Sequence, residues 1–440
     1  MADFLFNSVH AARAVPVSGH ALGTRAHAPG VGKRSDMRSL PEDPIIRELV
    51  AQARASILTR RTILSGAAAG SAALALAACA PLGSTKNLSP AKDHSATVKS
   101  LTWANWPLYL DQADDKSYPT LAAFEKQTGL NVKYDIAVED NDTYYAKVKD
   151  QLALGQDIGA DTVCLTDWMV SRWITLGYTQ KLDHANIPNI KNLSASLKNP
   201  DFDPGRNHSL PWQSGFAGLC WNKEKLPGGL KQVSDLWAPE LKGKVGALSE
   251  MRDTIGLIML EQGVDISGKS WGDKEFTAAI DELRKHVDDG QIRNIKGNSY
   301  ADDLKSGDTV AAIVWSGDVE GINADIGSDK FAFALPETGG TLWSDNFLIP
   351  IGSKEKANAE KLINYYYEPE VAATVAAYVN YITPVEGAKE AMAKIDKDLV
   401  DDQLIFPNED TLKHAHLFRT LTAAEQNKYN SQFQGVLLGA

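Results

Sequence analysis

Residues 100–106 read Ser-Leu-Thr-Trp-Ala-Asn-Trp, and residues 161–165 read Asp-Thr-Val-Cys-Leu. Both are short runs rich in apolar and β-branched side chains, which predicts β-strands, and residues 131–138 form a third run of this kind. Helix-like segments at residues 118–128 and 142–155 separate the three strands. Strands that alternate with helices are typical of a parallel sheet covered by helices, so this region predicts an α/β fold.

A second alternating region follows residue 210. Residues 273–289 carry apolar side chains at helical spacing, which predicts an amphipathic helix. The pattern after about residue 340 is mainly helical. The strand-like runs of this region are residues 216–221, 244–248, 310–315 and 331–335. A body of this length is enough for one large or two medium domains with substantial cores.

The segment before the folded body indicates export. Residues 59–79 read Thr-Arg-Arg-Thr-Ile-Leu-Ser-Gly-Ala-Ala-Ala-Gly-Ser-Ala-Ala-Leu-Ala-Leu-Ala-Ala-Cys. An arginine pair, an uncharged run and a terminal cysteine in this order predict a twin-arginine signal peptide with a lipidation site at Cys79. Residues 1–58 are then a leader or extension, with Met37 as an alternative start. Residues 80–97 are predicted to be a flexible tether from the outer face of the cytoplasmic membrane.

Charge and cysteine content limit the possible partners. The chain has 56 Asp and Glu against 45 Lys and Arg, a formal net charge of −11. This balance disfavours a nucleic-acid partner and is compatible with a cationic ligand. Besides Cys79, only Cys164 and Cys220 occur, both in strand-like runs. We expect two buried free thiols, with a disulfide between them as the alternative.

The candidate binding residues follow the predicted strands. In open α/β sheets, ligands bind beyond the carboxyl ends of the strands. These ends read Asn105-Trp106-Pro107-Leu108-Tyr109, Thr166-Asp167-Trp168, Leu248-Ser249-Glu250-Met251-Arg252-Asp253, Trp315-Ser316-Gly317-Asp318 and Trp343-Ser344-Asp345. Aromatic faces attract cations and pack against methylene chains, while carboxylates accept charged hydrogen bonds. A ligand that needs both is an alkyl chain that carries several ammonium groups, a polyamine.

These motifs, in this order, resemble the periplasmic spermidine/putrescine-binding proteins of ABC importers over about residues 99–420. Further matching segments are Tyr145-Ala146-Lys147-Val148-Lys149, Leu236-Trp237, Pro239-Glu240-Leu241-Lys242-Gly243, Pro336-Glu337-Thr338-Gly339-Gly340 and Asn380-Tyr381-Ile382-Thr383-Pro384. The resemblance implies a two-lobed periplasmic-binding-protein fold of type II. Each lobe is then a mainly parallel sheet flanked by helices. Lobe 1 is expected at residues 98–209 and 344–388, lobe 2 at 210–343 and 389–440, and the hinge crossovers near 210–213 and 336–343.

The resemblance also implies residue roles. The implied aromatic box is Trp106, Tyr109, Trp168, Trp315 and Trp343; the carboxylates that receive amines are Asp345, Glu250 and Asp253; the hydroxyls come from Thr166 and Tyr381. Asp318 lies where putrescine-preferring members tend to carry an acid, and Asp167 is a further candidate from its position after a strand. Thr166-Asp167-Trp168 replaces a Ser-x-Tyr-like segment and Phe418 replaces a polar amide. The preference for putrescine or spermidine therefore stays open.

The implied function is capture of a polyamine between two lobes and delivery to an ABC permease, by a monomer without cofactor or metal. An exported hydrolase is the enzymatic rival. We expect no G-x-S-x-G nucleophile elbow, and no H-E-x-x-H zinc motif or tandem C-x-x-C pair occurs. His414 and His416 point apart on a helix, which disfavours a metal site. The same fold could instead bind a sugar, a ferric ion or an aminoalkyl compound. Tyr144 and Tyr145 are neighbours on a predicted helix and their side chains point apart, which disfavours a ferric-ion site. A surface sensor without a transport partner is the third alternative.

Overall fold

The computed structural model of the protein describes residues 88–439. These residues belong to one compact unit, which the description below concerns. The predicted signal peptide, the lipidation site at Cys79 and the first part of the predicted tether lie outside the described residues. No helix within residues 88–439 is long and apolar enough to cross a membrane.

Ten strands and twelve α-helices make up the described part of the chain. The strands are β1 (Ser100–Asn105), β2 (Asn131–Ile136), β3 (Thr162–Thr166), β4 (Ser209–Asn222), β5 (Val245–Leu248), β6 (Ile292–Lys296), β7 (Ala311–Trp315), β8 (Phe331–Ala334), β9 (Gly340–Leu348) and β10 (Ala415–Leu417). The helices are α1 (Pro119–Thr128), α2 (Asn141–Ala153), α3 (Asp167–Thr175), α4 (Met251–Glu261), α5 (Asp273–Asp288), α6 (Tyr300–Ser306), α7 (Ser316–Ile326), α8 (Lys356–Tyr366), α9 (Pro369–Val379), α10 (Ala388–Ile395), α11 (Glu409–Lys413) and α12 (Ala423–Leu437).

The first half of the sheet is parallel, as the sequence predicted. β1 pairs in parallel with β2 on one edge and with β3 on the other. Helix α1 links β1 to β2. It begins with Pro119, since proline is well tolerated in the first turn of a helix, and it ends before Gly129, which adopts the left-handed conformation at φ 70°. Trp103 of β1 is fully buried among Trp212, Phe347 and Tyr366, with ring centroids 5.3–5.4 Å away. This aromatic cluster forms the core on one face of the sheet.

The second half repeats the arrangement. β5 pairs in parallel with both β6 and β7. Helix α5 covers this region with Phe276, Ile280 and Leu283 buried, which confirms the amphipathic helix predicted at residues 273–289. The order across the whole path is β2-β1-β3-β9-β4-β7-β5-β6, with β8 on β4 and β10 on β9.

Two long antiparallel strands connect the two halves. β4 and β9 pair with each other from Ser209–Leu348 to Ala217–Thr341. On the side away from β4, β9 pairs with β10 at residues 340–342 and with β3 at residues 345–348. It therefore passes from the second half of the sheet to the first near residue 344. The register of β4 shifts between Pro211 and Gln213, where the proline cannot donate a ladder hydrogen bond. These are the two strand crossovers of a two-lobed type II fold.

Two predicted boundaries were wrong. Residues 91–97, assigned to the flexible tether, are attached to the body: Ala91 N donates to Ile351 O, His94 N donates to Lys354 O, and Ser95 is buried. Helix α10, assigned to lobe 2, packs against α9, which was assigned to lobe 1. Both errors arise because attachment depends on tertiary contacts rather than on local composition. Cys164 and Cys220 are free and buried, as expected.

Candidate functional site

A cavity lies where the carboxyl ends of the parallel strands meet the β4–β9 crossovers. All twelve predicted binding residues line it: Trp106, Tyr109, Thr166, Asp167, Trp168, Glu250, Asp253, Trp315, Asp318, Trp343, Asp345 and Tyr381. The other lining residues are Pro107, Asn141, Arg252, Asn298, Thr341, Leu342, Leu417 and Phe418. The wall therefore draws on both halves of the sheet.

Strand ends place most of these side chains. Trp106 immediately follows β1, Thr166 ends β3, and Trp315 ends β7. Helix α3 begins directly after β3, with Thr166 as its N-cap residue, and helix α7 begins directly after β7, with Trp315 as its N-cap residue. Because each chain turns from strand to helix at this edge, the side chains at the turns converge on one cleft.

Aromatic rings form most of the apolar wall. The Trp106 and Trp315 rings, one from each half, meet edge to face with centroids 6.3 Å apart. The Tyr381 ring lies 5.5 Å from that of Tyr109 and 5.2 Å from that of Trp343. Trp106 Nε1 donates to Cys164 O at 3.1 Å, which fixes the orientation of its ring. Flat faces and edges are thereby presented to whatever occupies the cavity.

Asp345 has no counter-charge of its own. It lies in the middle of β9 and is buried, and within residues 88–439 its Oδ1 has no hydrogen-bond partner. Burial raises the pKa of Asp345 to about 7, with further increases from Asp167 and Asp253, while the nearby hydroxyls of Thr166 and Tyr109 oppose the rise. The Tyr109 hydroxyl is also buried without a partner in this part of the chain. Asp345 is therefore available to a donor on a ligand.

Two other carboxylates are already oriented by neighbouring donors. Asp318 accepts hydrogen bonds from the hydroxyls of Tyr300 and Tyr381, both at 2.7 Å. Asp253 accepts from Trp315 Nε1 at 2.8 Å and from Thr341 Oγ1 at 2.6 Å. Burial raises the pKa of each carboxyl, and these hydrogen bonds oppose the rise. Their geometry is preorganised, and each oxygen retains capacity for a further donor.

Asp167 and Glu250 complete the acidic set. Asp167 begins α3, and burial raises its pKa to about 6. Glu250 precedes α4 and accepts from Asn141 Nδ2 at 3.2 Å. Loss of solvent raises the pKa of Glu250 well above its usual range, and repulsion from Asp140 adds to the effect. Five carboxylates thus line one cavity, and Arg252 is the single basic side chain among its described lining residues.

Sequence reasoning missed several lining residues. Arg252 was not predicted to line the cavity; its guanidinium stacks on the Trp168 ring, 4.0 Å from the centroid. Asn141 reaches the cavity because Asp140 caps α2 by accepting from Thr143 N. An aspartate directly before a helical pattern is a typical N-cap residue, so Asp140 could have indicated where α2 begins. Leu417, in contrast, comes from the three-residue strand β10, whose pairing with β9 has no sequence signature.

Contacts near Asn141 join the two halves of the fold beside the cavity. Ser249 Oγ donates to Asp140 Oδ2 at 3.1 Å, and Asn430 Nδ2 donates to Asp142 Oδ2 at 2.9 Å. A Cβ atom placed on Gly297 would lie 2.5 Å from the Glu139 carbonyl oxygen. This close backbone approach, which only glycine permits, closes one side of the cleft.

Comparison with known proteins places the chain in a family. The model of the bacterial extracellular solute-binding proteins matches residues 120–406. The chain belongs to this family. The spermidine/putrescine-binding periplasmic protein of Escherichia coli strain K12 is 27% identical over 347 residues, 79% of this chain and 94% of its own. Spermidine/putrescine-binding periplasmic protein 1 of Haemophilus influenzae is 29% identical over 297 residues, 67% of this chain and 79% of its own.

Solved structures support the fold of this solute-binding protein. The spermidine/putrescine ABC transporter substrate-binding protein PotD from Streptococcus pneumoniae has a TM-score of 0.62 at 24% identity, and covers 77% of this chain and 99% of its own. The Tp0655 (TpPotD) lipoprotein of Treponema pallidum has a TM-score of 0.64 at 22% identity, with the same coverage. The two-lobed architecture is therefore shared with binding proteins of transporters.

The serine and tyrosine candidates for a hydrolase or ferric-ion site do not line the cavity. Residues 88–439 contain no cluster of three or more His, Cys, Asp or Glu side chains that could hold a metal ion. The expectation that the chain lacks a G-x-S-x-G motif was wrong, because residues 268–272 match this spacing of hydrolase nucleophiles. However, Ser270 is exposed in the loop before α5 rather than on a strand-to-helix turn. Tyr144 is buried in the core, away from the cavity lining.

Proposed function

We propose that this solute-binding protein captures putrescine or spermidine in the cavity and delivers it to an ABC permease. The observation that carries the proposal is the excess of carboxylates, five against one guanidinium, in a cleft walled by aromatic rings. Relatives named as spermidine/putrescine-binding proteins support the same ligand class.

Electrostatics favour a multiply charged cation. Burial raises the pKa of all five carboxyls that line the cavity, and for Asp167, Glu250 and Asp253 the positive charge of Arg252 offsets only part of this rise. Ammonium groups would supply further positive charge, and each charged hydrogen bond contributes about 1.5–3 kcal/mol. A sugar would leave the charge uncompensated. An anion would be repelled.

The aromatic wall favours a chain with methylene segments. Trp106, Trp315, Trp343, Tyr109 and Tyr381 present faces and edges that pack against CH₂ groups and attract adjacent ammonium groups. Each cation–π contact in a desolvated site contributes on the order of 2 kcal/mol. After the costs of desolvation and of fixing torsions, we expect a net binding free energy near about −8 to −10 kcal/mol, micromolar or tighter.

Capture is proposed to proceed by closure of the two lobes. Asp345 and Tyr109 lie on the lobe 1 side of the crossovers, and Asp253, Trp315 and Asp318 on the lobe 2 side. A ligand that contacts both sides shifts the equilibrium between open and closed forms, and the permease recognises the closed form. Lobe 1 is proposed at residues 91–209 and 344–405, and lobe 2 at residues 210–343 and 406–440.

Membrane attachment and oligomeric state are further parts of the proposal. The arginine pair, the uncharged run and Cys79 support export by a twin-arginine signal and lipid anchoring at the outer face of the cytoplasmic membrane. The anchored protein acts as a monomer beside its permease. Radiolabelled lipid incorporation that is lost in Cys79→Ser tests the anchor, and incorporation that persists in this variant would contradict it.

A thermal-shift panel tests the ligand class. The protein is heated with putrescine, spermidine, spermine, glucose, maltose or single amino acids, because a ligand that binds only the folded state raises the melting temperature. We expect a concentration-dependent increase with at least one polyamine and none with the sugars. An increase with a sugar alone would refute the proposed function.

A further inference from the structure

Arg252 is a buried cation in the wall of an otherwise acidic cavity. It is the second residue of α4, and 7% of its surface is exposed. Its guanidinium carbon lies 4.0 Å from the Trp168 ring centroid and 5.8 Å from that of Phe418. Nη2 donates to Gln426 Oε1. The side chain is therefore held by two aromatic rings and an amide, and we call Arg252, Trp168, Phe418 and Gln426 the arginine region.

The arginine region has hydrogen-bond donors without acceptors. Arg252 Nε and Nη1 are buried and form no hydrogen bond within residues 88–439, and its guanidinium forms no ion pair in that range. Trp168 Nε1 and Gln426 Nε2 are likewise buried without a partner there. A buried charged donor without an acceptor is costly. This part of the cavity is therefore complementary to an oxygen acceptor.

A second region of the cavity has the opposite character. Asp318, Tyr381, Tyr109 and Asp345 form a contiguous acidic region: Tyr381 donates to Asp318, its ring packs on that of Tyr109, and Asp345 Oδ1 has no donor among the described residues. A ligand with an ammonium at every end would satisfy the acidic region. It would leave the donors of Arg252 unpaired, because an ammonium group accepts no hydrogen bond.

We propose that the preferred ligand is an N-acylated polyamine, bound with its free ammonium in the acidic region and its amide carbonyl oxygen on Arg252. This inference rests on the proposed function and narrows its ligand class. A neutral oxygen fits better than a ligand carboxylate, because Asp167 and Glu250 also line this part of the cavity and repel anions. The acyl methyl group would pack against the rings of Trp168 and Phe418.

Titration calorimetry with matched ligands tests the inference on the unaltered protein. The ligands are putrescine, N-acetylputrescine and 4-aminobutanoate, which share one carbon chain and differ at one end. We expect N-acetylputrescine to bind about tenfold more tightly than putrescine. Putrescine that binds as tightly or more tightly overturns the inference and leaves polyamine binding intact. Preference for 4-aminobutanoate overturns the neutral acceptor. No binding by any of the three overturns the inference, and a titration with spermidine then decides whether the proposed function stands.

The substitution Arg252→Met tests the role of the residue. Methionine retains much of the side-chain length and packing but removes the charge and the donors. We expect the preference to reverse, with loss of affinity for N-acetylputrescine and gain for putrescine. The matched control is Arg419→Met, because Arg419 also stacks on an indole, 3.9 Å from the Trp271 centroid, but lies outside the cavity lining. Equal losses for both ligands in Arg252→Met would show a purely structural role; if this variant does not fold, the ligand comparison on the unaltered protein decides.

Discussion

The indole of Trp106, after strand β1, meets the indole of Trp315, at the end of β7, with centroids 6.3 Å apart and planes inclined by 73°. These residues belong to different halves of the sheet, more than 200 positions apart in the chain. Their contact therefore depends on the relative position of the two halves. The same positions bring Asp345 and Asp253 into one cavity.

Replacement of Asp345 tests the acidic region. Because Asp345 is proposed to hold an ammonium, Asp345→Asn should weaken polyamine binding by about 2–4 kcal/mol. Removal of a buried carboxyl with a raised pKa should also leave the ligand-free protein at least as stable at pH 8. Calorimetry and urea unfolding measure the two effects. The exposed Asp114→Asn serves as the control, and unaltered affinity in Asp345→Asn would reject the role of this residue.

The raised pKa values predict how stability depends on pH. The pKa of Asp345 is raised from 3.8 to about 7 and that of Asp167 from 3.8 to about 6. The folded protein thus binds more protons than the unfolded chain between these limits, so the free energy of unfolding falls as pH rises from about 4 to 7. The contribution is at most about 1.4 kcal/mol per group and pH unit. Urea unfolding of ligand-free protein at pH 5 and pH 8 measures it, with Asp345→Asn expected to reduce the difference.

A substitution at Gly297 should affect the closure of the two lobes rather than the folding of the protein. A methyl group there would meet the Glu139 carbonyl oxygen at 2.5 Å, and this oxygen belongs to the other half of the fold. Gly297→Ala should therefore lower ligand affinity by roughly tenfold or more, with little change in the melting temperature of the ligand-free protein. Gly228→Ala is the matched control, since a Cβ atom there has no neighbour within 4 Å. Equal affinities in the two variants would contradict the proposed closure.

Tyr300 should act through Asp318. Its hydroxyl donates to Asp318 at 2.7 Å, although Tyr300 itself is not among the lining residues. Tyr300→Phe removes a hydrogen bond that lowers the pKa of Asp318, so the pKa of this carboxyl should rise further and its ionised form should be less favoured. We expect a several-fold loss of affinity that is larger at pH 6 than at pH 8. Tyr365→Phe, remote from the cavity, should show no such pH dependence; the same behaviour in both variants would argue against this role.

The sequence predicted most of the site because the ends of the strands can be recognised from the pattern of apolar residues. Trp106, Thr166 and Trp315 follow short apolar runs, and the parallel sheet brings such ends to one edge. The long strand β4 was predicted only from residue 216, because Pro211 argues against a strand and its bulge becomes visible only in the pairing with β9. Arg252 was missed because its stacking on Trp168, a residue distant in the chain, has no local sequence signal.

Titration of the protein with spermidine and putrescine by calorimetry tests the central claim most directly. The account predicts one saturable site per chain for at least one of the two, with a dissociation constant about micromolar or tighter. Absence of saturable heat with both, together with saturable binding of a neutral sugar, would contradict it.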